Sequence, residues 1–376
     1  MPTIRLFIIS HFDPDPMVNG FTSRYASVSR AAQELGAVHH VSIGPRGSGS
    51  AIEVDPIVFT TGRAGRLQRL RCAIGFGGPL ARARKAIRTA AKESEADLAL
   101  GFTYMNPELL GRLAKEVPTF AFVEERPKSF GYESSIRSNW WSRSVATIER
   151  TALRRLLGPV RSIVVIQPGE VAAAESRWHR HAVVVPHAVE NAGPVSGLVG
   201  TPVDILCVGN FVERRNAEGL RLILDALDAV EPPNLASIAV ISRSGVAHEL
   251  LDYRGDRLEI RGGVADLAPE YAAATIVLVP SFVAWGAKTT ILQGWAFNRP
   301  VVTTTVAAST VGGVHGETVL AGSTPEEVAT LLLALLANPT QQTALADAGL
   351  LHVNTAHGEA AIADALRTLI AGINHE

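Results

Sequence analysis

Short apolar runs alternate with helix-length amphipathic stretches along this chain, and the whole alternation occurs twice. In the first half, runs at 4–10, 38–43, 97–102 (DLALGF), 118–123 (TFAFVE), 161–166 (RSIVVI) and 182–185 read as strands. Between them, 20–35, 79–95, 106–115, 138–157 and 168–177 carry helical patterning. Strands that alternate with helices argue for a parallel sheet, because a crossover helix carries the chain back to the start of the next strand. The expected class is therefore α/β, with a doubly wound sheet covered on both faces. A stretch rich in Gly, Pro and small polar residues follows at 190–201 (ENAGPVSGLVGT), which has little to bury and reads as a linker.

The pattern then restarts. Strands are expected at 203–208 (VDILCV), 237–241, 257–261, 276–280 and 300–304, and helices at 216–230, 245–252, 267–273, 288–297, 324–337 and 340–350. The expected organisation is a Rossmann-like domain over 1–189, the linker, a second domain over 202–355, and a C-terminal helix within 356–376 that packs back on the first domain. Two such domains would face each other across a cleft at the carboxyl ends of their strands, where α/β sheets bind ligands. At 376 residues, 47% of them hydrophobic, the chain can fill two cores.

Cys72 and Cys207 stand far apart without metal-ligand spacing, as expected of reduced thiols in a cytoplasmic protein. The run Ile4 to Ser10 is too short for a signal peptide core, and nothing approaches the ~20 apolar residues of a membrane span. The reading is a cytoplasmic protein, at most peripheral at the inner face of the membrane.

The formal charge of −1 conceals a division. Residues 1–190 hold 25 Lys and Arg against 17 Asp and Glu, a net of +8, and 191–376 hold 10 against 19, a net of −9. Arg63, Arg66, Arg69 and Arg71 form one basic cluster, and Arg82, Arg84, Lys85, Arg88 and Lys92 form another. They suit either a solvated helix face or attraction to an anionic membrane surface or a diphosphate-bearing acceptor. Without interleaved aromatics they do not suggest nucleic acid. Asp13 and Asp15, flanked by prolines, read as turn residues rather than metal ligands. His179 and His181 read as surface residues without a carboxylate partner.

In the acidic half the cations sit at informative places. The first strand runs into Gly209-Asn210-Phe211, then Arg214 and Arg215 as a helix opens. Arg243 follows the second strand, and Lys288 stands at the start of the helix around Ile291 to Ala296. Four of the ten basic residues therefore fall in strand-to-helix connections, where helix N-termini already favour anions. Gly20 holds the comparable position in the first half.

Three segments together, VGNFVERRNAEGL (208–220), RGGVADLAPEYAAATIVLVPS (261–281) and WGAKTTILQGWAFNRPVVTT (285–304), resemble the C-terminal domain of family 4 glycosyltransferases. Val185 to Glu190 (VPHAVE) is similar to the family's approach to its interdomain linker. The resemblance is good over about 190–355 and loose before it. It implies a GT-B architecture of two Rossmann-like doubly wound domains facing each other across a cleft. It implies transfer of a sugar from a nucleoside-diphosphate sugar, with retention, without a required metal and with no cofactor. Gly20, Gly209, Asn210, Arg214, Arg215 and Lys288 would lie at the donor diphosphate. Arg243, Gly263, Val264 and Gln293 would border the nucleoside.

Two departures stand out. The family glutamate that holds the donor ribose is Gln293, and Trp285 replaces a second glutamate near the sugar. They leave open altered donor specificity or lost activity. Trp295 on the same helix reads as packing. In the first half, Glu124 and Glu125 end a strand and are the catalytic candidates, as base or sugar ligand; a structural ion pair with Arg126 is the alternative. Glu149 matches a recurring family glutamate and is expected to be structural. The functional reading is a glycosyltransferase of cell-surface glycan or glycoconjugate biosynthesis. Its acceptor would be a glycan, a lipid-linked molecule or a small molecule, and nucleic acid is not a partner. The alternatives are a non-catalytic nucleotide-binding or scaffold subunit and another GT-B chemistry, epimerisation or phosphorolysis.

Overall fold

The structure, a computed structural model, describes residues 4–10, 20–45, 52–54, 78–102, 113–115, 117–122, 154, 158–189, 200–230, 237–242, 245–253, 255, 257–264, 266–283 and 287–371. The chain divides into two compact units, one of Met1–Ala188 with Glu359–Glu376 and one of Val189–Gly358. Of the anticipated linker, only residues 200 and 201 are described.

The first unit holds a seven-stranded sheet in the order β3-β2-β1-β4-β5-β6-β7. Its strands are β1 (Ile4–Ser10), β2 (Gly36–Pro45), β3 (Ile52–Val54), β4 (Leu98–Phe102), β5 (Thr119–Phe122), β6 (Ser162–Val165) and β7 (Ala182–Val184). Every pairing is parallel. Its described helices are α1 (Gly20–Leu35), α2 (Gly78–Glu93), α3 (Val171–Trp178) and, from the end of the chain, α11 (Glu359–Ala371). Alternate residues of a strand point to opposite faces, so β6 sends Ile163 and Val165 to one layer and Val164 to the other. The first layer is closed by Ile87 and Ala91 of α2 and by Ala174 and Trp178 of α3. The other is closed by Tyr25 and Val28 of α1 with Ile362, Leu366 and Leu369 of α11. Arg30 and Glu359 tie those two helices at 2.6 Å.

The second unit is a six-stranded parallel sheet, β10-β9-β8-β11-β12-β13. The strands are β8 (Val203–Val208), β9 (Ile238–Ser242), β10 (Leu258–Gly262), β11 (Ala274–Val279), β12 (Val301–Thr304) and β13 (Leu320–Gly322). The helices are α4 (Arg214–Val230), α5 (His248–Leu251), α6 (Ala268–Ala273), α7 (Thr289–Ala296), α8 (Thr305–Ser309), α9 (Pro325–Leu336) and α10 (Pro339–Ala356). Numbered by appearance, the strand order is 3-2-1-4-5-6, the arrangement of dinucleotide-binding domains. Burial on both faces explains why β9 and β11 read as apolar runs, whereas the edge strand β10 (LEIRG) is half exposed and carries Glu259 and Arg261. Ile205, Val240, Ile276 and Leu278 pack under α4 and α9, whereas Leu206, Ile241, Val277 and Val279 pack under α6, α7 and α8.

Trp295 anchors the second of these layers. It is fully buried, and its indole Nε1–H donates to the Thr318 carbonyl at 2.8 Å. A glycine on α10, Gly349, lets that helix lie directly on the indole ring, so a β-carbon there would overlap Trp295 Cδ1. Trp295 is thus a packing residue. His181, by contrast, is not without a partner: its Nδ1 lies 2.9 Å from Glu175 Oε1. The left-handed turn at His179, with φ of 52°, brings it back beside α3.

Candidate functional site

In the second unit, β8 and β11 are neighbours whose following helices leave on opposite faces, α4 on one and α7 on the other. Such a switch point opens a crevice beyond the carboxyl ends of the two strands, where ligands of open α/β sheets bind. The registers bring Val208, Ser242, Gly262, Val279 and Thr304 to this one edge.

At the end of β8 stands Gly209. Its N–H donates to the Ile241 carbonyl at 3.1 Å, and the Phe211 N–H donates to Ser242 Oγ at 3.3 Å. Both amides are engaged, and the nearest atoms to where a β-carbon of Gly209 would sit belong to the Phe211 ring, at 3.4 Å and beyond. Ser242 holds this loop to the next one, because its hydroxyl also donates to the Gly245 carbonyl. Ala247 N–H completes the link by donating to the Phe211 carbonyl at 2.7 Å. Asn210 contributes its carbonyl, which accepts from Asn216 Nδ2 at 2.9 Å as α4 begins.

Arg214 is the first residue of α4 and pairs with Glu218 one turn on, Nε to Oε1 at 2.7 Å. It is 75% exposed, so this pair is worth little and leaves the guanidinium able to turn to a stronger anion. Arg215 follows it in the first turn of the helix, where a positive end and an anion favour each other. Gly219 lets α4 approach the β11 end: a β-carbon there would fall on the Pro280 carbonyl oxygen.

On the other side of the crevice, Lys288 caps α7. Its backbone N–H donates to Thr310 Oγ1 at 3.2 Å, and that hydroxyl donates to the Ala307 carbonyl at 2.7 Å. Thr290 Oγ1 reaches the Val208 carbonyl at 3.4 Å, which places the first turn of α7 against the end of β8. Lys288 is half-buried, and loss of water around its ammonium pulls its pKa down to about 8. The β11 end is pinned by Thr303 Oγ1 to the Val279 carbonyl at 2.8 Å and by Thr304 Oγ1 to the Ser281 carbonyl. Ser281 Oγ is buried and has no hydrogen-bond partner among the described residues.

Farther along the edge, Gly263 turns the chain after β10 with φ of 47°, and Val264 packs against the layer that holds α7. Arg261 is bound to Glu259 and Glu270, each at 2.7 Å. Gln293 lies in α7, and Tyr271 Oη donates to its Oε1 at 3.1 Å.

Of the site residues expected from sequence, Gly209, Asn210, Arg214, Arg215 and Lys288 gather around this switch point. Gly263 and Val264 lie on the β10–α6 turn and Gln293 on α7. Gly20 opens α1 of the first unit. Arg243, Glu124, Glu125, Glu149 and Trp285 lie outside the described residues. Sequence reasoning did not single out Tyr271, Thr310, Ser242 or Ser281. Tyr271 stood inside a recognised stretch, but nothing local shows that it meets Gln293. No group of three or more His, Cys, Asp or Glu that could hold a metal occurs among the described residues, nor any helix long and apolar enough to cross a membrane.

Comparison with known proteins gives this edge its context. Residues 202–338 match the family model described as Glycosyl transferases group 1. No curated protein matches the chain by sequence. Sucrose-phosphate synthase from Thermosynechococcus elongatus is similar in structure, with a TM-score of 0.73 and 16% identity over 98% of this chain and 99% of that one. A glycosyltransferase from Rickettsia africae matches with a TM-score of 0.67 and 12% identity, each chain covered in full. Anabaena Alr3699/HepE, solved in complex with UDP, matches with a TM-score of 0.65 and 13% identity over 98% of this chain and 100% of that one. At these identities the structural likeness establishes the fold, and the family model supplies the class: the chain is a glycosyltransferase of the GT-B fold that carries a glycosyl transferases group 1 domain at residues 202–338.

Proposed function

We propose that the chain transfers a sugar from a nucleoside-diphosphate sugar to an acceptor in cell-surface glycan or glycoconjugate biosynthesis, with retention and without a required metal. The observation that carries this reading is the half-buried Lys288 at the start of α7, set beside the Gly209 turn in an otherwise acidic half of the chain. As the glycosidic bond breaks, negative charge collects on the departing diphosphate. A fixed ammonium and the positive ends of α4 and α7 stabilise that charge without reorganising water. Arg214 and Arg215 add positive charge from the first turn of α4. The similar Anabaena protein has also been solved in complex with UDP-glucose, which supports a uridine nucleotide as the first donor to test.

The first unit contributes Gly20 at the start of α1 and, for the chemistry, Glu124 and Glu125. Lys85, Arg88 and Lys92 lie exposed along α2, a basic face suited to an anionic membrane surface or a diphosphate-bearing acceptor. Incubation with UDP-, GDP-, ADP- and dTDP-sugars in the presence of a chelator tests the reading. Release of the nucleoside diphosphate with a new glycosidic bond of retained configuration supports it; nucleotide binding without turnover in any donor and acceptor combination overturns it. That last outcome is the mark of the second reading, a non-catalytic nucleotide-binding subunit, which the neutral Gln293 favours.

A further inference from the structure

β10 ends the second sheet, and no described strand pairs on its outer side. The opposite end is finished differently. All three residues of β13 are buried, and α9 lies so close that a β-carbon on Gly322 would meet the Val328 N–H. In β10, by contrast, Glu259, Ile260 and Gly262 are exposed.

The pairing with β9 fixes where the peptide groups of β10 point. Leu258 pairs in parallel with Ile238, and the Ile238 N–H donates to the Arg257 carbonyl at 2.8 Å. In a ladder the N–H and C=O of one residue share a side, and the side alternates along the strand. Those of Arg257, Glu259 and Arg261 therefore face β9, and those of Leu258, Ile260 and Gly262 face outward. Among the described residues, nothing pairs with these outward groups.

The side chains show what such an edge fits. Ile260 is 40% exposed and shares its face with Leu258, in the layer that holds Leu250 of α5; the next residue of α5, Leu251, is 58% exposed. Glu259 and Arg261 lie on the other face. Edge strands are commonly kept apart by charge, but an edge that carries one charge of each sign is attracted to a reversed copy of itself. We propose that β10 is a homodimer interface, at which two copies of this chain pair antiparallel about a two-fold axis at Ile260. Leu258 then opposes the partner's Gly262 and Ile260 opposes the partner's Ile260, so the outward groups exchange about six N–H···O bonds.

In this register Glu259 falls opposite the partner's Arg261, with β-carbons ~4.5–5.5 Å apart. Moving the axis to Glu259 or to Arg261 sets two like charges against each other, so charge selects the register centred on Ile260. The Glu259 side chain is 62% exposed and can be shared. Arg261 holds Glu270 through Nη1 and Glu259 through Nη2, each at 2.7 Å, and a guanidinium has five N–H donors for carboxylates. The interface lies two strands from β8, outside the crevice, and does not depend on the nucleotide-binding reading.

Sedimentation velocity of the full chain in 150 mM salt, which screens the repulsion between two acidic halves beyond ~8 Å, tests the proposal. A small interface of this kind should give half-dimerisation near about 100 µM. Ile260→Pro removes an outward N–H and no bond to β9, so it should abolish association while the melting curve stays cooperative. Glu259→Lys reverses both cross-strand pairs and should weaken association about tenfold. Mixing it with Arg261→Glu should restore association, because every pair in the mixed dimer is again of opposite sign. If Arg261→Glu loses its fold beside Glu270, the first two variants still decide. A chain that stays monomeric at every concentration, as it would if another protein supplied the strand, overturns the proposal. So does a dimer that Ile260→Pro and Glu259→Lys leave unchanged, or a mixture of two folded variants that stays apart.

Discussion

Raising the pH from 7 to 9.5 should weaken nucleoside-diphosphate binding by stripping the proton from Lys288. Burial lowers that ammonium from the ordinary lysine value of 10.5 to about 8. A diphosphate beside it favours the charged form, so the pKa rises in the complex and binding takes up a proton. Each pH unit above 8 then costs about tenfold, or ~1.4 kcal/mol. Between pH 7 and 9.5 the affinity should fall about 30-fold, ~2 kcal/mol. Titration calorimetry in two buffers of different ionisation enthalpy reads the same event directly, as uptake of about half a proton near pH 8.

The sign for stability is opposite to that for binding. The folded value lies below the unfolded one, so the unfolded chain holds more protons between pH 8 and 10.5. Stability from this group therefore rises with pH through that window, and below it the buried charge costs about 3 kcal/mol. Lys288→Met should consequently raise the melting temperature at pH 7 while weakening nucleotide binding and removing its decline above pH 8. An affinity that stays flat from pH 7 to 9.5, or a decline of equal slope in Lys288→Met, would refute the assignment.

Three further outcomes are expected. Gly219→Ala drives a β-carbon into the Pro280 carbonyl oxygen and should cost about 1–3 kcal/mol, read from denaturant unfolding, with weaker nucleotide binding as α4 shifts. Trp295→Phe leaves the Thr318 carbonyl without its 2.8 Å donor and opens space in the core; a loss of about 1–3 kcal/mol should appear in the same assay. Ser242→Ala unties the Gly209 and Gly245 loops and should lower nucleotide affinity several-fold, with a stability loss of about 1–2 kcal/mol, by calorimetry and thermal melting.

The strands that carry the site were legible because they are buried on both faces. Residues 203–208, broken only by Asp204, and 276–280 pattern as apolar runs, and β8 and β11 follow them closely. β13 left no such trace: Leu320–Gly322 is three residues long, too short for a periodicity. α10 runs to Ala356, beyond the anticipated end near 350, because Gly349 is a packing contact against Trp295 and not a helix stop.

Lys288 could be picked out of the sequence because cations are few in the acidic half and four of its ten, Lys288 among them, fall in strand-to-helix connections. Its depressed pKa could not, because that depends on which groups exclude water around it. The Tyr271–Gln293 bond joins residues 22 apart through the packing of α6 on α7, and only the fold brings them together. For His181, the sequence hid Glu175 six residues earlier, since a left-handed turn is needed to reverse the chain.

Everything proposed for function depends on a pyrophosphate gripped at the end of β8. Calorimetric titration of UDP, GDP, ADP and dTDP into the wild type and into the Arg214→Ala, Arg215→Ala, Lys288→Met triple variant addresses this directly. At least one nucleotide should bind the wild type and lose most of its affinity in the triple variant, whose melting curve stays cooperative. No binding by any of the four, or equal binding to both proteins, would contradict it.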